Sequence, residues 1–231
     1  MDRPMNRAPL PSLLPRSFLA LVGVLALVVS ACGESVTPIA EARALETGAT
    51  VTVEGYVSVQ PGAFVSALGD EGFAVQDGTG GVYVKMDAKQ TFGRGAHVRV
   101  TGTLDEQNQL RILKAAPEDV ELRSGTQEVS PKAVSTGDVN ESVEGQLITV
   151  AGAVTQPFQD DSPYGYKLYI NDGSGEVQVF VHVSAGFDKA TLQALSVGDS
   201  ISVTGLAAQY EATYEVAPRQ PDDLRRVAPR P

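Results

Sequence analysis

Cysteine is nearly missing from this sequence: Cys32 is the only one. No internal disulfide can form, so the fold must be held by its apolar cores. Histidine is almost as scarce. His97 and His182 stand far apart, with no His-x-x-x-His spacing and no cysteine partner, so no zinc site is expected. Positive charge is in the minority: Lys+Arg number 18 against 28 Asp+Glu, a net −10. Nucleic-acid affinity leans on neutralising phosphates, and an acidic chain lacks that contribution. No glycine-rich loop opens a helix to cradle phosphate, and no nucleophile stands beside a base. Asp77-Gly78-Thr79-Gly80 and Asp172-Gly173-Ser174-Gly175 lack the spaced carboxylates of a calcium loop and read as turns. No catalytic residue, metal or cofactor is expected, and the protein reads as a non-enzyme.

Long apolar runs are also absent, except near the start. Arg3, Arg7 and Arg16 precede the stretch FLALVGVLALVVSAC, Phe18–Cys32. Basic residues before a short apolar run read as a signal peptide, too short for a comfortable membrane span. Its end, Val29-Ser30-Ala31-Cys32, resembles the lipobox of bacterial lipoproteins. That resemblance implies cleavage before Cys32 and acylation there. The mature protein is then exported and held to a membrane by acyl chains alone, on the periplasmic face of an outer membrane or at the cell surface. Discarding Arg3, Arg7, Arg16 and Asp2 leaves 15 of the 18 basic and 27 of the 28 acidic residues, and neither half of what remains is basic.

What the chain does have is a repeat. TVTVEGYV (50–57) matches LITVAGAV (147–154), and FAVQDGTGGVYVKM (73–86) matches LYINDGSGEVQVFV (168–181). GAHVRVTGTL (95–104) then matches GDSISVTGLA (198–207), and LRIL (110–113) and TYEV (213–216) close the two halves. Each alternates apolar and polar residues, the period of a half-buried strand. Asp-Gly between alternating runs marks a hairpin. Gly55 interrupts the first strand, as a glycine does where a barrel strand bends. The second half is longer at SAGFDKATLQALSVG, where Phe187, Leu192 and Leu195 sit near helical spacing behind a candidate cap, Asp188.

Five strands, a bent first strand, an Asp-Gly hairpin and a variable helix before the fourth strand resemble the OB-fold. IAEARALETGATVTVEGYV (39–57) is also similar to OB-like modules appended to secreted bacterial nucleases. The expected architecture is all-β: two five-stranded OB-fold barrels in tandem, the second with a short helix between strands three and four. The expected division is a signal peptide (1–31), a tether (32–38), a first barrel (39–124), a linker (125–138), a second barrel (139–227) and a tail (228–231).

The resemblance implies that ligands lie across strands two and three and the loops beside them. Alternation names that face. Lys167, Tyr169, Gln178, Phe180 and His182 point out of the second barrel, with Phe158 and Tyr164 in the preceding loop. Tyr83, Lys85, Tyr56 and Arg99 point out of the first. Aromatic rings there can stack on bases at about 1–3 kcal/mol each. The fold resemblance puts single-stranded DNA first as partner. A protein- or glycan-binding adaptor fits the acidic charge better. In a third reading, a structural envelope component, the same aromatics are buried between barrels.

Overall fold

The structure, a computed structural model, describes residues 35–228 together with Met1. The rest of the expected signal peptide, Cys32 and the last three residues lie outside the described residues. Residues 35–228 belong to one compact unit.

Two closed barrels follow one another. The first comprises α1 (Ile39–Arg43), β1 (Thr50–Val59), β2 (Phe73–Gln76), β3 (Gly81–Lys85), β4 (Ala96–Gln107), β5 (Leu110–Lys114) and β6 (Val120–Thr126). Strand β1 pairs with β2, β2 with β3, β3 in parallel with β5, β5 with β4, and β4 again with β1. The second comprises β7 (Lys132–Ala133), β8 (Leu147–Val154), β9 (Gln159–Asp161), β10 (Gly165–Asn171), β11 (Glu176–His182), α2 (Lys189–Gln193), β12 (Ser200–Tyr210), β13 (Thr213–Ala217) and β14 (Leu224–Arg226). Its ring closes the same way: β8–β10–β11–β13–β12–β8, with β11 and β13 parallel. This is the OB-like topology. Closure leaves no open edge among the five strands of either ring.

Each barrel is filled by the residues whose alternation points inward. Val53, Val57, Phe73, Val75, Val82, Val84, Val98 and Val100 fill the first; Val150, Leu168, Ile170, Val179, Val181 and Val203 fill the second. Helix α2 lies where the longer second half placed it. Asp188 accepts from the Ala190 N–H at its start, and Leu192 is fully buried.

The twin Asp-Gly turns do more than reverse the chain. Asp77 accepts N–H bonds from Thr79 and Gly80, and also from Ile39 at the start of α1 (2.9 Å). Asp172 accepts from Ser174 and from both the N–H and hydroxyl of Thr136, 36 residues earlier. Ser174 and Thr136 hold the Asp172 carboxyl well below its ordinary range. In both halves the turn carboxyl fastens the segment that leads into the barrel, which explains why the same turn recurs.

Some elements were not foreseen. Of the expected tether, Val36 bridges to Thr52 and Thr37 donates to the Thr52 carbonyl, so the segment is docked along β1. The linker contributes β7, paired with β8. A sixth strand, β6 or β14, flanks each ring after a Pro-acid-Asp turn.

The barrels share a third core. Ala74, Tyr83, Leu110 and Ile112 on the outer face of the first meet Leu206, Ala208 and Ala217 of the second. Backbones also touch. A Cβ on Gly81 would sit 2.1 Å from the Gly145 carbonyl oxygen, and one on Gly145 2.3 Å from that of Gly81. Arg43 pairs with Glu141 and the buried Glu144, Gln76 accepts from the Leu147 N–H, and Arg219 donates to the Ser58 carbonyl.

Candidate ligand-binding cleft

Packing of the barrels divides the expected binding residues into three groups. Tyr83 is one correction. It does point out of the first barrel, but it is fully buried in the core the barrels share, with Phe64 of the β1–β2 loop edge-on against its ring at 5.1 Å. Its hydroxyl donates to Asp70 at 2.8 Å, and burial, with the Asp70 carboxyl beside it, raises its pKa well above the ordinary value. It cannot meet a ligand. The outer face of β2, β3 and β5 is therefore consumed as an interface.

Tyr56 and Arg99 form a second group, away from the interface. Tyr56 stacks on His97 with centroids 4.8 Å apart, and the Arg99 guanidinium lies 2.7 Å from the Glu54 carboxylate. His97 reaches the other Glu54 oxygen at 3.0 Å. Phe158 is likewise engaged. It packs beside Tyr166 against the core of the second barrel, its ring 5.6 Å away.

The third group does converge. Tyr164, Lys167, Gln178, Phe180 and His182 line one cleft of about 850 Å³. Strands β10, β11 and β13 make its floor. The β12–β13 hairpin contributes Tyr210 and Glu211, and the first barrel contributes the β1–β2 loop (Phe64 to Leu68) and the β4–β5 hairpin (Gln107, Asn108). The opposing wall thus comes from the other half of the chain. That loop is fixed by Asp70, whose buried carboxyl accepts from the Ser66 N–H and hydroxyl, the Gly72 N–H and the Met86 N–H besides Tyr83.

The floor carries a polar chain. The Tyr169 hydroxyl donates to Gln178 Oε1 (3.0 Å), and Gln178 Nε2 donates to Glu215 Oε2 (2.7 Å). Glu215 lies opposite Gln178 in the parallel β11–β13 pairing, and only 4% of it is exposed. Tyr164 and Tyr210 stand exposed at the rim with Leu68, while Phe180 is half-buried. The lysines are already engaged: Lys167 reaches Asp161 at 3.0 Å, and Lys85 donates to Gln107 at 2.7 Å. Burial lowers the His182 pKa, which favours its uncharged ring.

No protein-family model and no curated protein matches this chain. Several solved structures are similar in outline. An OBody bound to hen egg-white lysozyme shares 20% identity at a TM-score of 0.35, over 43% of this chain and 98% of that one. A murine DNA-binding protein bound with double-stranded DNA shares 13% at 0.38, over 77% and 98%. The Ifi202 HINa domain in complex with a 20-bp double-stranded DNA shares 13% at 0.38, over 79% and 97%. No score here reaches 0.5, so what those proteins bind says nothing of this chain.

Glu215 was missed at the sequence level, because TYEV reads as a closing strand and nothing more. Its one signal is an acid alternating with Tyr214 and Val216, hence on the face opposite the core. Burial pushes its carboxyl up to about 7 from an ordinary 4.5, only partly opposed by the Gln178 hydrogen bond and Lys167. The native carboxyl therefore keeps its proton to higher pH than the unfolded one does. Between those two values the native state binds more protons, so stability falls as pH rises through that window. The loss should be on the order of 3 kcal/mol. Unfolding free energies from denaturant titrations at pH 5 and pH 8 should differ less in Glu215→Gln than in the wild type by about that amount; parallel pH curves for the two proteins would refute the burial assigned to this acid.

Proposed function

We propose that this protein is an exported, lipid-anchored, non-enzymatic binding protein whose inter-barrel cleft takes a stretch of oligosaccharide. The observation that carries this reading is the pairing of rim and wall rings over an amide and carboxyl floor, beside a lysine, Lys167, that Asp161 already neutralises. Tyr164, Tyr210 and Phe180 offer flat apolar surface for sugar faces. Gln178, Gln107, Asn108 and Glu215 offer acceptors and donors for hydroxyls. A phosphate chain would need cations, and Lys167 is held by Asp161, Lys85 by Gln107 and Arg99 by Glu54.

The test is a calorimetric titration of the purified protein with an N-acetylglucosamine tetramer and with a thymidine oligomer, at low and moderate salt. Sugar binding that barely changes with salt is expected, and Phe180→Ala should weaken it by about tenfold. Binding of the DNA oligomer with a steep salt dependence, and none of the sugar, would refute the reading. The anchor rests on the Arg-led apolar run and the single cysteine. Labelled palmitate should enter the protein in a lipoprotein-processing host and be lost in Cys32→Ser; equal labelling of both would refute the anchor.

A further inference from the structure

We infer that Glu215 is the specificity-determining group of this cleft and selects an oligosaccharide bearing a free amino group over its acetylated counterpart. This rests on the reading of the cleft as an oligosaccharide site. The carboxyl sits at the floor on β13, buried, with Gln178 holding one oxygen. Among the described residues no hydrogen bond reaches the other oxygen. Gln178 is itself fixed from behind by the Tyr169 hydroxyl, so its amide presents nitrogen to the acid and cannot swing away without losing both bonds.

The charges around the floor point the same way. From β9 comes Asp161, from β10 Lys167, from β11 His182, from the β12–β13 hairpin Glu211; the β4–β5 hairpin facing them brings the uncharged Gln107 and Asn108. Lys167 is the cation of this set, and Asp161 neutralises it. Of the lining charges Glu211 and Glu215 remain; Lys85 does not line the cleft but bonds the lining Gln107. A buried carboxyl with one open oxygen is costly to ionise alone, and a ligand ammonium placed against it removes that cost while gaining a charge-assisted hydrogen bond. An acetamido group in the same place offers one weaker N–H, carries no charge and is bulkier. The raised pKa of Glu215 is what such a partner would reverse.

The experiment titrates wild type and Glu215→Gln with glucosamine and N-acetylglucosamine tetramers at neutral pH. Glutamine keeps the shape and the bond from Gln178, so the variant folds by the same contacts. The wild type should prefer the amino sugar by about tenfold, the worth of one added charge-assisted hydrogen bond, and Glu215→Gln should reduce that preference to less than about twofold while still binding the acetylated tetramer. Repeated at about pH 6 in two buffers of different ionisation heat, where the sugar amine is already charged and Glu215 still holds its proton, the titration should show proton release on binding amino sugar to the wild type and none with the variant. Equal affinity for both sugars overturns this inference and leaves the oligosaccharide reading intact. Failure of both sugars overturns both. A lysine tetrapeptide that outbinds the amino sugar overturns it as well, since the site would then be reading charge on a peptide.

Discussion

Replacing Gly145 by alanine should cost on the order of 3–5 kcal/mol of stability, a large value for one methyl group. Two costs coincide. Gly145 has a φ of +80°, in the left-handed region, and an added Cβ would lie 2.3 Å from the Gly81 carbonyl oxygen. The obstacle is backbone on both sides, so no side chain can rotate away. The barrels would have to separate, and the core of Ala74, Tyr83, Ile112, Leu206 and Ala208 would open to water. Urea unfolding followed by far-ultraviolet dichroism measures the loss. Nitration with tetranitromethane gives a second view: Tyr83, protected in the wild type, should become reactive, while Tyr164 and Tyr210 react in both. A variant within 1 kcal/mol of wild type, with Tyr83 still protected, would mean that the close glycine contact does not hold the barrels together.

The next largest effect belongs to Asp70. Its carboxyl is buried and accepts from two backbone N–H groups besides that of Ser66, from the Ser66 hydroxyl and from Tyr83. Alanine would strand several of these donors, each at about 1–3 kcal/mol where buried, for a total of roughly 4 kcal/mol after relaxation. Asparagine keeps one acceptor oxygen and should lose about half as much. The function should suffer beyond stability, because residues 64–68 are the cleft wall that Asp70 secures. Ligand affinity measured well below the melting temperature should fall in Asp70→Ala. Unchanged affinity would show that this wall takes no part in binding.

Much of the architecture was legible because its signals are local. Period-two alternation in VTVEGYV and LYIN set which side chains turn inward, and Asp-Gly set the hairpins. The extra length before Gly198 marked α2. The packing of one barrel on the other was harder, since it depends on faces that alternation assigns to solvent. Yet the signal was present. Leu110 and Ile112 alternate with Arg111 and Leu113, and Leu206-Ala207-Ala208 is apolar on both faces, the pattern of a strand buried on two sides. Tyr83 read as a ligand platform for want of that inference. The cleft was half legible. Tyr164, Lys167, Gln178, Phe180 and His182 share one barrel and one face, so alternation gathers them. Leu68, Gln107 and Tyr210 reach the same space only through the docking of the two halves, which no spacing in the chain records.

The most direct measurement is a chemical-shift map of the isotopically labelled protein titrated with the glucosamine tetramer. Saturating shifts are predicted at Tyr164, Gln178, Phe180 and Glu215 and across the opposing 64–68 loop, with Tyr83, Tyr56 and Arg99 unmoved. Shifts confined to Tyr56, His97 and Arg99, or none with sugar and a broad response to single-stranded DNA, would contradict a binding cleft built between the barrels.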